Sequence, residues 1–349
     1  MAAKQLTKEK LREIHSLMVE GRILEERLIK MNKAGEGYFW IGGPGEEAFA
    51  VPFGMLVHKG QGIQSDFLHL HYRASATVLA MGGNSIDAIR QMRSVSTDPY
   101  SGGRNFVNHY AIKRWNIVPV FSCIEPQYLQ ALGTAHAQRE KGCKGITVVT
   151  GGDAGTAEGD FASALVWSSR PAGISPMLMI VTNNRFGIST PWDGQHGEKN
   201  VADRGKAFGI QTVIANGNDV FEAWDALETA MEYVRKERKP YLLELSVSRL
   251  YGHSSASGAP RWNEPDCIEL FEEKLIKQKV MTKEECQAVH DKMLTKITEA
   301  YKQVQLEPFP DPTSIYDHVW SKEDGNNGRD TFAEQMGVDF THNPPQAHH

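Results

Sequence analysis

The sequence has 349 residues, of which 40% are hydrophobic and 23% charged, and its formal net charge is −5 at pH 7. This balance is typical of a folded globular protein, and it lacks the basic surplus that nucleic-acid binding usually needs. No uncharged apolar run of about 18 residues occurs and the charged start MAAKQLTKEKLREIH has no apolar signal core, so we expect a cytoplasmic protein with no targeting segment and no membrane span.

The first 120 residues predict helices separated by glycine-rich loops. Apolar residues recur at helical spacing over 7–33, and the glycines of AGEG end this pattern. Shorter helices are predicted at 46–58 and 85–94. The stretches GGPGEE, HYRAS and DPYSGGRNF have the composition of binding loops.

After residue 120 the pattern predicts alternating helices and strands. Helices at 127–141, 160–169 and 220–238 alternate with the apolar runs ITVVT, MLMIVT and YLLELSV. This order predicts an α/β fold with a parallel sheet and helices on both faces. Extra helices are predicted at the N-terminus and, as amphipathic segments, at 266–307.

Three segments make up the predicted domain organisation. Residues 1–45 form an N-terminal helical arm, and residues 46–307 form a single α/β domain that includes the C-terminal helices. Residues 308–349 are rich in Pro, Asp, Asn and Gly. That composition predicts an extended tail, partly disordered or docked on a partner.

Two polar motifs fall at the C-terminal ends of neighbouring predicted strands. GGDAGTAEGD follows ITVVT, and TNNRFG overlaps the end of MLMIVT. Because the ends of parallel strands meet at one edge of a sheet, Asp153 and Asn184 can face the same point. A carboxylate and an amide oxygen suit Mg²⁺ that also contacts phosphate oxygens, and the backbone N–H groups of GDAGT suit the same anion. The sequence therefore predicts a site for a magnesium-bound diphosphate.

The chain resembles a known enzyme family from about residue 20 to residue 265. GDA followed by NN is similar to the GDG…NN signature of thiamine diphosphate enzymes. More specifically, the chain resembles the α subunit of the decarboxylating component of 2-oxo acid dehydrogenase complexes, through the motifs GEE (45–47), HYR (71–73), GRNFVNHY (103–110), QALG (130–133), AEGD (157–160), NNRFGISTP (183–191), GNDVF (217–221) and GHSS (252–255). The branched-chain type is favoured over the pyruvate type, and acetoin cleavage is a third alternative.

The resemblance implies a thiamine diphosphate-binding fold with thiamine diphosphate and Mg²⁺ as cofactors. The implied reaction is the oxidative decarboxylation of a small 2-oxo acid, with reductive acylation of a lipoyl group on a separate acyltransferase component. No segment of this chain resembles the domain that supplies the glutamate activating the aminopyrimidine. A β subunit would therefore supply it, in an α₂β₂ heterotetramer.

The resemblance also assigns the site residue by residue. The Mg²⁺ ligands would be Asp153, Asn184 and the carbonyl of Phe186. His253 would be the active-site histidine and would also contact the cofactor. The other cofactor-binding residues would be His71, Tyr72, Arg73, Ser122, Ile124, Gly152, Ala154, Gly155 and Arg185.

Two pairs of these residues would contact opposite ends of the cofactor. Tyr72 and Arg73 would hold the diphosphate, since an arginine suits bidentate contact with phosphate oxygens. Ser122 and Ile124 would meet the aminopyrimidine, with Ile124 as the apolar residue that bends the cofactor. The plainer alternatives are a surface pair in a loop and an ordinary packed strand end.

The segment SRLYGHSSASGAP (248–260) carries His253. Its serines and glycines and its lack of apolar anchors predict a loop that is mobile without cofactor. With the cofactor bound, Arg249 and His253 would face the diphosphate and the reacting centre. We therefore expect this loop to become ordered on binding.

The chain departs from the family pattern at three places. Ala154 replaces the second glycine of GDG, and alanine resists positive φ. Thr182 occupies the position where branched-chain relatives carry a diphosphate-binding arginine, and Arg185 is a candidate to substitute for it. Phe121 and Pro126 stand where those relatives offer hydroxyls to potassium, so the sequence gives a potassium site little support.

The rival from another class is a nicotinamide-dependent Rossmann oxidoreductase. Such an enzyme would carry G-x-G-x-x-G after an early strand and an acidic residue about 20 positions later, and this chain has no such motif. A non-catalytic binding subunit is a further alternative. Loss of Asp153 or Asn184 would have supported it, and both are present.

Overall fold

A computed structural model describes residues 6–316 of the chain. Its centre is a five-stranded sheet in which all neighbours are parallel. The strands are β1 (Phe67–His69), β2 (Thr147–Gly152), β3 (Met177–Asn183), β6 (Gln211–Asn216) and β7 (Tyr241–Ser246), in the spatial order β1-β2-β3-β7-β6. A separate antiparallel pair, β4 (Phe186–Gly187) and β5 (Thr190–Pro191), follows the end of β3.

Helices surround this sheet in the described part of the chain. They are α1 (Lys8–Lys33), α2 (Glu47–Leu56), α3 (Ser75–Ala80), α4 (Ser85–Arg93), α5 (Gln127–Glu140), α6 (Gly159–Ser169), α7 (Ala202–Lys206), α8 (Val220–Glu237), α9 (Cys267–Lys277) and α10 (Lys283–Val304). None of the helices between residues 6 and 316 is both long and apolar enough to cross a membrane.

The central strand β3 shows why the strands read as continuous apolar runs. Leu178 and Ile180 join the buried cluster on the side of α2 and α8. Met177, Met179 and Val181 join a second cluster, on the side of α5 and α6. A parallel sheet covered on both faces needs apolar side chains in both directions, so β3 is buried along its whole length.

A third buried cluster lies away from the sheet, among the terminal helices. Leu24 and Leu28 of α1 and Ile89 of α4 pack there with Ile297 and Val304 of α10. The helix at the end of the described chain thus packs against the first one. This packing attaches the terminal helices to the α/β core.

The predicted fold class is confirmed: a parallel sheet carries helices on both faces, with extra helices at each end. The sequence did not predict the strands β1 and β6, the helices α3 and α7, or the pair β4 and β5. β1 and α3 are short, with three and six residues. β6 is a half-exposed edge strand of mixed polarity, QTVIAN, and lacks the apolar run of a central strand.

The division into arm, domain and tail stays a prediction. Of the predicted tail, residues 317–349 lie outside the described part of the chain. The first residues of the tail contact the domain, because the backbone N–H of Ser96 donates to the carbonyl of Pro308 at 2.9 Å.

Candidate active site

Asp153 and Asn184 lie together at one edge of the sheet. Asp153 directly follows β2 and Asn184 directly follows β3, its neighbour in the sheet. The backbone N–H of Asp153 donates to the carbonyl of Thr182 at 3.0 Å. The backbone N–H of Asn184 donates to Oδ1 of Asp153 at 3.4 Å. The parallel register therefore brings the two predicted metal ligands to one point.

The carboxylate of Asp153 is buried and incompletely hydrogen-bonded. Only 1% of the residue is exposed, and its Oδ2 has no hydrogen-bond partner among the described residues. Burial raises the pKa of Asp153 to about 6, although the hydrogen bond from the Asn184 backbone opposes the shift. A buried acceptor without a donor is costly, and a cation at Oδ2 would satisfy it.

The two asparagines of the NN pair have different surroundings. The amide of Asn183 is buried and donates to Oε1 of Glu244 at 2.7 Å, while its Oδ1 accepts from the backbone N–H of Arg185 at 3.0 Å. Asn184 is half-buried, and its Oδ1 accepts from the backbone N–H of Phe186 at 3.1 Å. Asn183 thus fixes the turn, and Asn184 remains at the edge of the site beside Phe186.

Ala154 fits its position without strain. It begins a short 3₁₀ turn (Ala154–Ala157) and is not among the residues with positive φ. The backbone at this position is therefore conventional, as an alanine requires. Gly155, in contrast, has no room for a side chain, because an added Cβ would lie 1.7 Å from Oε1 of Glu125. Gly152 faces open space.

Arg185 lies at the surface. It is exposed, and its guanidinium is stacked 4.6 Å from the ring centroid of Trp192. Its guanidinium makes no hydrogen bond to another described residue, although its backbone N–H donates to Asn183. Its proposed substitution for the arginine missing at Thr182 therefore has little structural support.

Arg249 is a buried cation with free donors at the site. It is 5% exposed, it stacks 4.1 Å from the ring centroid of Trp262, and its Nη1 donates to the carbonyl of Ile188 at 2.8 Å. Its Nε and Nη2 have no acceptor among the described residues. Burial and the charge of Arg73 lower the pKa of Arg249 to about 10, whereas Asp153 opposes this shift. Arg249 thus remains charged at neutral pH, with two donors available to an anion.

Arg73 fixes the orientation and the protonation state of His253. Its Nη1 donates to the carbonyl of Gly42, and its Nη2 lies 3.0 Å from Nδ1 of His253. Because a guanidinium can only donate, Nδ1 accepts and the proton of the imidazole sits on Nε2. Burial, followed by the charges of Arg73 and Arg249, lowers the pKa of His253 to about 4. His253 is therefore a neutral imidazole at pH 7.

His71 and Tyr72 pack beside this pair. Both residues are buried, and their ring centroids are 3.8 Å apart. The backbone N–H of His71 donates to Oγ1 of Thr150 at 2.7 Å, which joins the loop to β2. Burial, followed by the charges of Arg73 and His253, holds the pKa of His71 well below its usual value. His71 is thus a neutral packing group under Tyr72.

Ser122 and Ile124 lie in the segment before α5, and both are exposed. Ser122 Oγ lies 2.5 Å from Nε2 of the buried His109. Glu125 follows Ile124 and is buried. Burial, followed by the charges of Glu158 and Asp160, raises the pKa of Glu125 to about 9.

Three buried residues of this region were not identified from the sequence as site residues: Glu46, His109 and Glu125. Glu46 lies in the GEE motif and is 4% exposed. Burial raises the pKa of Glu46 to about 8, although the charge of Arg73 opposes the shift. The motifs GEE and GRNFVNHY support the family resemblance, but no residue in them was assigned a role in the site. A charged residue before a strongly apolar helix was the available signal for Glu46.

The loop that carries His253 is better anchored than predicted. Leu250 is fully buried, its backbone N–H donates to the carbonyl of Pro44 at 3.1 Å, and its carbonyl accepts from Trp262 at 2.8 Å. The backbone N–H of Ser255 donates to the carbonyl of Trp40 at 2.8 Å. The expectation that the loop lacks apolar anchors was therefore wrong.

Comparison with known proteins identifies the family. The chain is similar to the α subunit of 2-oxoisovalerate dehydrogenase from Bacillus subtilis, with 27% identity over 326 residues that cover 91% of this chain and 97% of the relative. The mitochondrial α subunit from Arabidopsis thaliana is 28% identical over 76% of this chain and 54% of its own length. The mitochondrial α subunit from Homo sapiens is 23% identical over 91% of this chain and 72% of its own length. The model of a family described as dehydrogenase E1 component matches residues 15–313. Because this match spans most of the chain, the protein belongs to the dehydrogenase E1 component family, an enzyme family.

Proposed function

We propose that this chain is the α subunit of a thiamine diphosphate- and Mg²⁺-dependent dehydrogenase that decarboxylates branched-chain 2-oxo acids. Family membership supports thiamine diphosphate as the cofactor, and the names of the relatives support the branched-chain substrate. The acyl group would pass to a lipoyl group on an acyltransferase component. Pyruvate and acetoin are the alternative substrates.

One observation carries this proposal: a buried carboxylate oxygen without a donor and a buried guanidinium with two unpaired N–H groups lie in the same region of the site. Asp153 Oδ2 lacks a hydrogen-bond partner, as do Nε and Nη2 of Arg249. Asn184 and Phe186 lie between them, since Asn184 donates to Asp153 and accepts from Phe186, and the guanidinium of Arg249 lies 5.2 Å from the ring centroid of Phe186. Leaving both groups unsatisfied is costly. A ligand with a cation at one end and an anion at the other, such as Mg²⁺-diphosphate, would satisfy both.

The oxygen atoms of the site suit Mg²⁺. Asp153 Oδ2, Asn184 Oδ1 and the carbonyl of Phe186 would be the protein ligands. Mg²⁺ prefers hard oxygen donors and commonly shares its coordination between a few protein groups, phosphate oxygens and water. A single carboxylate among these ligands fits that preference.

Arg73 and Arg249 would neutralise the diphosphate. Both guanidinium groups are buried, and each retains the fixed planar geometry that suits phosphate oxygens. Arg249 would serve in place of the arginine that is missing at Thr182. Gly155 lets the turn after β2 pack against the buried Glu125, where a side chain would not fit.

Bound thiamine diphosphate would supply the carbanion that adds to the 2-oxo carbon and would hold the electrons left after carbon dioxide departs. His253 would donate a hydrogen bond from Nε2 to the oxygen of the 2-oxo group as negative charge develops there. Arg73 fixes this donor, because it occupies Nδ1 at 3.0 Å. His253 would therefore act as a neutral donor at pH 7.

Exposed apolar side chains support a protein partner. Leu129 of α5 and Val166 and Trp167 of α6 are 37%, 46% and 49% exposed, on neighbouring helices over one face of the sheet. A group of this kind is typical of a surface that a partner covers. We propose the β subunit of a heterotetramer as that partner, since the glutamate that activates the aminopyrimidine has no counterpart in this chain.

The proposal is tested by carbon dioxide release from the full chain mixed with a β subunit, Mg²⁺ and thiamine diphosphate, with ferricyanide as electron acceptor. The substrates are branched-chain 2-oxo acids and pyruvate, while acetoin, which has no carboxyl group to lose, is followed by ferricyanide reduction and acetaldehyde release. We expect release from the branched-chain acids and none from the full chain alone. Turnover by the chain alone would refute the need for a partner, and preference for pyruvate would refute the substrate class.

A further inference from the structure

Glu25 of α1 is a buried carboxylate that no step of the proposed reaction uses. It is 1% exposed and accepts hydrogen bonds from three neutral side chains. The indole Nε1 of Trp40 donates to Oε2 at 2.8 Å, and Ser75 Oγ and the amide of Asn108 donate to Oε1 at 2.5 and 3.1 Å. Burial raises the pKa of Glu25, although these hydrogen bonds oppose the shift. Burying a charge among neutral donors is costly, so stability alone does not explain Glu25.

The three donors belong to separate segments around the candidate active site. Trp40 lies between α1 and α2, and Asn108 lies between α4 and α5. Ser75 is the first residue of α3, two positions after Arg73. One carboxylate of α1 therefore joins three segments that are far apart in the sequence.

Trp40 connects Glu25 to the loop that carries His253. The backbone N–H of Ser255 donates to the carbonyl of Trp40 at 2.8 Å, and the backbone N–H of Trp40 donates to Ser255 Oγ at 3.0 Å. Two positions before Ser255, His253 contacts Arg73, whose Nη2 lies 3.0 Å from Nδ1 and 3.2 Å from the carbonyl oxygen of that histidine. The loop is thus held by Trp40 at one residue and by Arg73 at another.

Gly42 brings the backbone of the Trp40 segment against both charged groups. Its carbonyl accepts from Nη1 of Arg73. A Cβ added to Gly42 would lie 2.1 Å from Oε2 of Glu25, so the backbone packs directly on the carboxylate. A shift of this segment would therefore disturb the acceptor of Arg73 as well as the two hydrogen bonds to Ser255.

The set of donors requires a carboxylate. The indole of Trp40 can only donate. The amide nitrogen of Asn108 also donates to the carbonyl of Ile41 at 2.7 Å, which fixes its orientation. A glutamine at position 25 would turn its own amide nitrogen toward one of these two donors, whichever way it was oriented. A carboxylate, which accepts at both oxygens, satisfies all three donors at once.

We propose that Glu25 is a positioning residue, which holds Trp40 so that the loop of His253 stays against Arg73. The effect of Glu25 on the position of His253 rests on these contacts alone. Its consequence for turnover also rests on the proposed function, in which His253 donates from Nε2. The two effects are therefore measured separately.

The position of His253 can be measured without cofactor or partner, by NMR titration of its imidazole in the full chain. Burial, followed by the charges of Arg73 and Arg249, lowers the pKa of His253 to about 4, so the wild-type ring is neutral above about pH 5. Glu25→Met keeps the length of the side chain and removes both acceptors. We expect it to raise the titration midpoint by about one pH unit or more, because the released ring leaves its buried position beside the two arginines. Trp40→Phe, which keeps a buried ring and removes the donor to Glu25, should raise the midpoint as well.

A matched control and a double variant complete this test. Glu13→Met makes the same change at an exposed position of α1, and His253 should titrate there as in the wild type. Glu25→Met combined with Trp40→Phe should shift the midpoint no further than the larger single shift, because both changes remove the same hydrogen bond. An unchanged midpoint in either folded single variant, or an equal shift in Glu13→Met, would overturn the proposal. If Glu25→Met does not fold, Trp40→Phe decides the outcome.

The consequence for turnover is tested with the full chain, the proposed β subunit, Mg²⁺ and thiamine diphosphate. We expect Glu25→Met and Trp40→Phe each to lose at least about tenfold in turnover, since a small displacement of a reacting group is costly. Glu13→Met should turn over like the wild type. If the wild type is inactive, the proposed function fails, and the titration still decides whether Glu25 positions His253. A shifted titration with unchanged turnover would support the positioning by Glu25 and refute the role proposed for His253.

Discussion

At the scale of single residues, Asp153 illustrates how function and stability oppose each other. Its ordinary pKa of 3.8 is raised to about 6, because burial disfavours the carboxylate and the described residues satisfy only one of its oxygens. A shift of this size corresponds to about 3 kcal/mol of destabilisation at neutral pH. Such a group is retained for what it binds, not for what it adds to the fold.

We predict that Asp153→Asn stabilises the cofactor-free chain by about 2 kcal/mol at pH 7.5, because it removes the buried charge. The raised pKa makes the wild type less stable above about pH 6, and this penalty disappears as the carboxyl protonates between about pH 6 and pH 4. The advantage of the variant should therefore vanish at pH 4. Urea unfolding at pH 7.5 and pH 4 measures the difference in free energy of unfolding between the variant and the wild type. Asp225→Asn, at an exposed position of α8, is the control, and equal stability of wild type and Asp153→Asn at pH 7.5 would contradict the prediction.

The two candidate arginines can be separated by mutation. We predict that Arg249→Ala weakens thiamine diphosphate binding by more than tenfold, because it removes the buried guanidinium whose Nε and Nη2 are available to the anion. Arg185→Ala should change affinity by less than about twofold, because that side chain is exposed and stacked on Trp192. Calorimetry at two salt concentrations makes the comparison. The opposite order of effects would restore Arg185 as the substitute for the arginine missing at Thr182.

At the scale of elements, a histidine pair connects three helices to one carboxylate. His15 of α1 and His290 of α10 place their Nε2 atoms 2.7 and 2.8 Å from the same Oε1 of Glu272 in α9. Although these groups are close enough to hold a metal, both Nε2 atoms are used as donors to one oxygen. Burial alone would raise the pKa of Glu272, but the hydrogen bonds from His15 and His290 prevail and lower it to about 2.

We predict that Glu272→Gln lowers the free energy of unfolding by about 1 to 2 kcal/mol at pH 5.5, the scale of charge-assisted hydrogen bonds. The lowered pKa of Glu272 means that its contribution is lost as the pH falls from about 4.5 toward 2. The hydrogen bond to Glu272 raises the pKa of His290. The contribution of His290 to the free energy of unfolding is therefore lost as the pH rises through this raised pKa. Urea unfolding at pH 3, 5.5 and 9 follows the difference, with exposed Glu273→Gln as control. A difference independent of pH would contradict the electrostatic account.

The loop around His253 should respond to cofactor in its second half. Buried Leu250 and its hydrogen bonds to Pro44 and Trp262 anchor the first half in the absence of a ligand. We predict strong amide protection near Leu250 in both states, and a gain of protection over 253–258 when thiamine diphosphate and Mg²⁺ bind. Hydrogen exchange measures both. Equal protection of 253–258 in the two states would show that cofactor does not order this segment.

The sequence predicted those parts of the fold and site that depend on local pattern. β2 and β3 are apolar runs followed by polar motifs, so their parallel order and the meeting of Asp153 with Asn184 could be anticipated. β6 could not be, because an edge strand needs no continuous apolar run. The unsatisfied donors of Arg249 depend on contacts between distant segments, which leave Nε and Nη2 without acceptors. No spacing along the chain encodes them.

At the scale of the whole molecule, the chain spans nearly all of its bacterial relative but only 54% of the plant one. The family match covers residues 15–313 and therefore includes every residue assigned to the site. The site opens at the edge of the sheet, and the apolar side chains on α5 and α6 are exposed. These exposed side chains form the surface that we propose a β subunit covers.

The central claim is that Asp153 and Arg249 together hold Mg²⁺-thiamine diphosphate. The most direct measurement is calorimetric titration of the full chain, mixed with the proposed β subunit, with thiamine diphosphate in the presence of Mg²⁺ or of EDTA. We predict binding that EDTA abolishes in the wild type, and at least a hundredfold weaker binding by Asp153→Asn, which loses the only charged metal ligand. Binding of equal affinity with and without Mg²⁺, unchanged in Asp153→Asn, would contradict the account.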